Sequence, residues 1–401
     1  MSSRGASRKA SFGSTPKPAR RFILVAGLLV LSCAALAAAN TAAADMAAPD
    51  RPRDEAKRIT ELIHACDFTR AEQAISALEE APAHRPPDTV PHSNDASRSD
   101  GLYRSFLSAY LSFWRFLLTP EDAEVGETFK TAVTNALAAA SRDEAAGNPD
   151  ASLFKACSYL FLSLSEIESG GKVPAMYWLV RGIQEAKKIA ATYPNADPYL
   201  IVGCYDFYLS GEKADFREML GRAARDGFYF RDLASFIEGK LLQKEDREWA
   251  DSEALFRGLH AKYPANPLFS YHLAVSLRHL SRYRESVAMY DLTLENAPTD
   301  PVPVELLCQV HFAKGQILEI FLKDERAAIA SYELALRNAD RAVKKTVRFI
   351  PLCLLHIGYC HERLGETEAA IRSFSAVSRE DDRKAWERAQ EALARIRGAK
   401  K

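Results

Sequence analysis

The 401-residue chain has no G-x-x-x-x-G-K-[ST] segment, no H-E-x-x-H and no G-x-S-x-G. It therefore lacks the backbone cradle for nucleotide phosphates, the pair of histidines one helical turn apart that holds a catalytic zinc, and the strained turn that exposes a serine nucleophile. No catalytic residue, cofactor or metal is expected. An excess of charge of either sign is also missing, with 53 basic and 53 acidic residues. That balance conceals an asymmetry. The first 44 residues hold six basic side chains (Arg4, Arg8, Lys9, Lys17, Arg20, Arg21) and no acidic one. The remainder is net acidic, by about −6, which excludes sequence-independent nucleic-acid binding because that needs a basic surface.

The basic start precedes an apolar run from Phe22 to Ala39 and reads as a bacterial export signal over residues 1–44. Three outcomes fit it. Ala37-Ala38-Ala39 and Ala42-Ala43-Ala44 offer small-x-small cleavage sites, which would leave Asn40 or Asp45 first and place a soluble protein in the periplasm or cell envelope. Val30-Leu31-Ser32-Cys33 resembles a lipobox, so that a lipidated Cys33 would tether the chain. Uncleaved, residues 22–39 are just long enough to anchor it in a membrane.

Cysteine is scarce, and the six beyond the leader (Cys66, Cys157, Cys204, Cys308, Cys353, Cys360) lie in or at the ends of apolar helical stretches. Buried thiols are expected there rather than disulfides. Cys353, His356 and Cys360 share one helical face, but seven residues of helix separate the two cysteines by about 10.5 Å. Bridged α-carbons lie within about 7 Å, and two thiolates on one zinc must converge more closely still.

What the chain has is a recurring spacing. Ala274, Ser286, Tyr290 and Thr293 are followed by Pro298, and Gly358, Ala370, Phe374 and Val377 reproduce the first four members at the same spacing 84 residues on. Gly239, Ser252, Phe256 and Leu259 match with one extra residue, as do Gly315, Ala328, Tyr332 and Ala335. Small residues open the later units at Gly203, Gly239, Ala274, Gly315 and Gly358. A small residue allows two helices to cross closely and a bulky one fills the space to the next unit, so the pattern predicts stacked helix pairs.

The predicted organisation is a linker over 45–52, divergent helical repeats over 53–194 and regular repeats with a capping helix over 195–398. A proline-rich disordered loop is expected at 82–100, and Thr119-Pro120-Glu121-Asp122 reads as a cap, first-turn proline and two acids opening a helix. Tyr205, Phe207, Tyr208 and Phe228-Tyr229-Phe230 form an aromatic-rich stretch. Ala385, Trp386, Ala389, Leu393 and Ile396 form the apolar stripe of the last helix.

Asn266–Pro298 and Pro351–Asp382 resemble tetratricopeptide repeats, through Leu273-Ala274, Tyr283, Ser286 and Tyr290 in one and Ile357-Gly358, Leu364-Gly365, Ala370 and Phe374 in the other. The resemblance implies an all-α, right-handed superhelical solenoid of antiparallel helix pairs and a non-enzymatic scaffold for protein partners. It also implies a concave groove lined by the first helices. By matched position the groove takes Tyr271, Val275 and Arg278, then Phe312, Gln316 and Glu319, then Leu355, Tyr359 and Glu362. The Lys/Asn arrangement that clamps a peptide carboxylate is absent. A rival expectation is a module for a small ligand or lipid, with an apolar cavity of a few hundred Å³ inside residues 100–230.

Overall fold

A computed structural model of the chain describes residues 51–399 apart from 81–94, 146, 210–212, 300–301 and 340–343. The expected leader lies outside the described residues, with most of the 82–100 loop and the side chains of Cys204, Tyr205, Phe207 and Tyr208. The described residues form helices joined by short turns. In pairs these are α1 (Arg51–His64) and α2 (Phe68–Glu80), α3 (Asp95–Leu118) and α4 (Ala123–Glu144), α5 (Pro149–Glu168) and α6 (Lys172–Ile189), α7 (Asp197–Leu209) and α8 (Lys213–Asp226). They continue with α9 (Arg231–Leu241) and α10 (Trp249–Lys262), α11 (Pro267–His279) and α12 (Tyr283–Asn296), α13 (Val304–Ile317) and α14 (Glu325–Asn338). The short α15 (Lys344–Val347) precedes α16 (Phe349–Arg363), α17 (Thr367–Ser375) and the capping helix α18 (Arg383–Ala399). The architecture is an all-α solenoid.

Two boundaries differ from expectation. Residues 95–100, assigned to the loop, are the first turns of α3. The cap of α4 is Asp122 rather than Thr119, because the Asp122 carboxylate accepts from the backbone N–H groups of Glu124 and Val125 while the Thr119 hydroxyl bonds back to Arg115.

The repeat spacing has a backbone cause. Where it is twelve, the first helix ends in a left-handed residue seven positions after the small or apolar one: Cys66 after Ile59, Ser281 after Ala274, Gly365 after Gly358. The next N–H then closes the helix end, as Arg282 N does on Leu277 O at 2.9 Å and Glu366 N on His361 O at 2.9 Å. Where the spacing is thirteen, the additional residue is taken up by a π-helical turn, Leu242–Asp246 after α9 and Leu318–Leu322 after α13. The left-handed residue moves one place later, to Arg247 and Lys323. The longer units thus keep the same hairpin.

The signature residues pack within their own unit. A Cβ on Gly358 would lie 2.5 Å from the Phe374 ring, one on Gly315 2.6 Å from Tyr332, and one on Gly239 2.8 Å from Phe256. The glycine is demanded by the aromatic of its partner helix, which is fully buried in each case. At Ala274 a side chain of the second helix bonds to the backbone of the first instead: the Ala274 carbonyl accepts from Ser286 Oγ at 2.7 Å.

The first pairs do not form an open stack. Phe106 and Phe154 stack at 3.8 Å, Phe154 meets Tyr229 at 5.5 Å, and Trp114 of α3 meets Phe269 of α11 at 6.2 Å. First helices of pairs far apart in sequence therefore meet, and one core runs from Ala56 to Ile317. The carboxylate of Asp150, at the start of α5, is sealed inside it. Asp150 accepts from the hydroxyls of Tyr103, Tyr193 and Tyr229, and lies 3.6 Å from Arg53 Nε of α1. Burial, then the charge of Asp150, holds the Tyr193 and Tyr229 hydroxyls far above their ordinary pKa, so both remain donors. Beside it Asp197 is pushed up to about 7 by burial, although it accepts from the backbone N–H groups of Tyr229 and Phe230.

Candidate partner-binding face

From α11 onward the stack is regular, and the face made by α11, α13 and α16 carries seven of the nine residues expected from the repeat pattern. These seven, Tyr271, Val275, Arg278, Phe312, Gln316, Tyr359 and Glu362, are partly exposed. Two bonds tie consecutive units across this face: Tyr271 Oη donates to Gln309 Oε1 at 3.0 Å, and Arg278 Nη2 donates to Gln316 Oε1 at 3.0 Å. Burial, then the charge of Glu305, pushes the Tyr271 hydroxyl up to about 12, so it donates at neutral pH. Phe312, His356 and Tyr359 form a continuous aromatic strip, with His356 5.8 Å from Phe312 and 6.3 Å from Tyr359. At its end Glu362 accepts two bonds from Arg395 of α18, at 3.0 and 2.8 Å.

The other two expected groove residues are interior. Leu355 is 1% exposed and packs in the core shared by α16, α17 and α18. Glu319 is 4% exposed because the π-helical turn that absorbs the extra residue of its unit rotates it off the open face and under the next unit. There it accepts from Tyr332 Oη, His356 Nδ1 and Arg363 Nη2, each at 2.7 Å. Burial by itself would raise the Glu319 pKa, but those three donors outweigh it and hold the carboxyl down at about 2.

The same device occurs earlier in the chain. Gln243 stands four residues after Gly239, as Glu319 does after Gly315, and His272 stands two before Ala274, as His356 does before Gly358. Gln243 Nε2 donates to the His272 carbonyl at 2.8 Å and to Ser276 Oγ at 2.8 Å. Its Oε1 must then be the acceptor for His272 Nδ1 at 2.9 Å, which places the proton on that nitrogen. A π-turned side chain of one unit thus grips a histidine of the next. In the sequence His356 stands out only by sharing a helical face with Cys353 and Cys360; the thirteen-residue spacing is the signal that marks its partner.

Because glutamine serves this position once already, Glu319→Gln should cost less than half of Glu319→Ala. The alanine variant strands the Tyr332 and His356 donors and should lose about 2 kcal/mol. Urea unfolding of the two variants at neutral pH checks the order. The Glu319 contribution should be complete above the ordinary carboxyl pKa of 4.5 and fade as the pH falls toward 2.

The described aromatic residues of the first half pack against one another; Phe113 and Phe161, for instance, stack at 4.6 Å. A hollow of about 660 Å³ lies between α3 and α4, but its lining includes Arg104, Ser108, Glu124, Glu127, Asn135 and Arg142. Among the described residues no helix is long and apolar enough to cross a membrane. The described cysteines, Cys66, Cys157, Cys308, Cys353 and Cys360, carry free thiols; burial pushes Cys308 and Cys360 up to about 12.

A family model described as a tetratricopeptide repeat matches residues 352–382, the α16–α17 pair. No curated protein matches. Among solved structures the chain is similar to the C-terminal part of a TPR repeat-containing protein from Cytophaga hutchinsonii, with 12% identity, 67% of this chain and 99% of that one covered, and a TM-score of 0.44. It is also similar to yeast Tom70, at 13% identity, 87% and 83% coverage and a TM-score of 0.41. For the Cut9–Hcn1 assembly of the APC/C the values are 13%, 80%, 59% and 0.45.

Proposed function

We propose that this chain, a tetratricopeptide-repeat protein, works as a non-enzymatic scaffold that presents the α11–α13–α16 face to a protein partner in the bacterial cell envelope. The observation that carries the reading is that this face keeps Phe312, His356 and Tyr359 partly exposed in one strip while hydrogen bonds hold Tyr271 and Arg278 to the next unit. Side chains already ordered before contact lose less entropy on binding, and a partly exposed aromatic flanked by polar groups is a common anchor.

The test is an Arg278→Ala/Tyr359→Ala/Glu362→Ala variant, chosen to leave the buried Glu319 in place. Affinity capture from envelope extracts should lose specific partners that the native chain retains, at about 1–2 kcal/mol for the aromatic anchor. Equal recovery by native and variant chains of equal helicity would remove this face from consideration. The envelope location rests on the leader alone. Sequencing the mature protein should find Asn40 or Asp45 first; a lipidated Cys33, or an intact leader, would replace secretion by membrane attachment.

A further inference from the structure

On the earlier pairs α1 packs against α2 and α3 and reaches residues of later units. One side of α1 recurs at helical intervals: Arg53, Ala56, Ile59 with Thr60, and Ile63 with His64. Its contacts reach elements more than a hundred residues away. At the start of α1, Arg53 pairs with Asp150 and its guanidinium lies 4.7 Å over the Phe228 ring. At the end, His64 Nε2 is 3.0 Å from Tyr110 Oη, and Asn266 Nδ2 donates to the His64 carbonyl at 2.8 Å. Between these anchors Ala56, Ile59 and Ile63 are buried in the core that holds Trp114 and Phe269.

The attachment is specific without being large. Its apolar part is one alanine and two isoleucines fully buried and Leu62 partly buried, whereas α3 alone buries Tyr103, Phe106, Tyr110, Phe113, Trp114 and Phe116. Its polar part is an ion pair and a buried histidine, groups whose desolvation offsets most of their attraction while fixing register and direction. The outer side is charged, with Glu55 and Arg58 paired to each other on the surface. An element with few buried apolar groups is the kind that opens separately from the rest of a fold.

We propose that α3, the Asp150 end of α5, Phe228 and the Asn266 cap of α11 form a helix-receiving groove in which α1 sits as a displaceable ligand supplied by the chain itself. In trans the groove takes an amphipathic helix of the same pattern: a cation in the first turn for Asp150, small and β-branched apolar residues on the next turns, and a hydrogen-bonding ring at the end for Tyr110. The proposal does not depend on the open α11–α13–α16 face having a partner.

Hydrogen exchange on the full chain and a fluorescent peptide of residues 51–65 test it. In the native chain α1 amides should exchange at least about tenfold faster than those of α3, α5, α9 and α11, through a separate opening. In an Ile59→Asp or Ile63→Asp chain α1 should lose protection while the other four helices keep theirs. The peptide should bind those variants at least about tenfold more tightly than the native chain, whose apparent affinity is reduced by the small fraction with the groove empty. A peptide carrying the same aspartate should not bind. The proposal is overturned if native α1 exchanges only together with the four helices, or if both variants keep α1 protected. Loss of protection throughout the stack in both variants, or release of α1 without peptide binding, also overturns it.

Discussion

Asp150→Ala is expected to lose about 3–5 kcal/mol of stability, the largest effect of any single substitution considered for this chain. The cost does not come from removing an attraction alone. Three tyrosine hydroxyls and one guanidinium are aimed at that carboxylate, and its side chain is 4% exposed. Deleting it leaves the Tyr103, Tyr193 and Tyr229 donors in a space too closed for water to replace the lost acceptor, and leaves Arg53 facing them without its counter-charge. Asp150→Asn keeps the shape and one acceptor oxygen, so it should recover part of the loss. Urea denaturation of the three chains, followed by circular dichroism, gives the order native, Asn, Ala. An alanine variant within 1 kcal/mol of native would mean that the buried cluster adds little beyond the packing around it.

Gly358→Leu should lose about 3 kcal/mol, at the upper end of what overpacking usually costs. The informative comparison is Gly358→Ala. Helix propensity favours alanine over glycine by about 1 kcal/mol in a helix interior, so a surface glycine in α16 would gain from the change. Here the added Cβ would meet Phe374 Cε1 at 2.5 Å, and Phe374 is fully buried with nowhere to move. The expected sign is therefore destabilising, even for a single methyl. Gly358→Ala/Phe374→Leu should be less damaged than the sum of its two single variants, because the smaller side chain gives up the space the methyl takes. Additive losses would place the clash elsewhere.

The legible part of the fold is the part written in local intervals. The distances from Ala274 to Ser286 and from Gly358 to Ala370 are a helix, a left-handed turn and a second helix, and all three are set by backbone geometry within about twenty residues. The thirteen-residue units carried a second local message, the π-helical turn, visible as one residue too many but not interpretable until the turn was seen. Among the groove residues, Tyr271, Phe312 and Tyr359 lie where the spacing puts them. Glu319 does not, because it lies inside the π-helical turn that absorbs the extra residue, where side chains leave the 3.6-residue register of the preceding helix. Leu355 is buried for another reason: α18 returns over α16, and the position of a capping helix depends on the whole stack beneath it.

The sequence by itself determined the pairing of helices and the apolar stripe of α18. Only the tertiary structure decided that α1 reaches Asp150 at one end and Asn266 at the other, that Asp150 gathers three tyrosines and an arginine, and that Trp114 touches Phe269. These contacts join residues separated by roughly 40 to 200 positions, and they depend on how far the stack has curved by the time the chain comes round. Curvature is the sum of small rotations at every helix pair, so no short stretch of sequence contains it, whereas the hairpin of each unit is closed by its own hydrogen bonds.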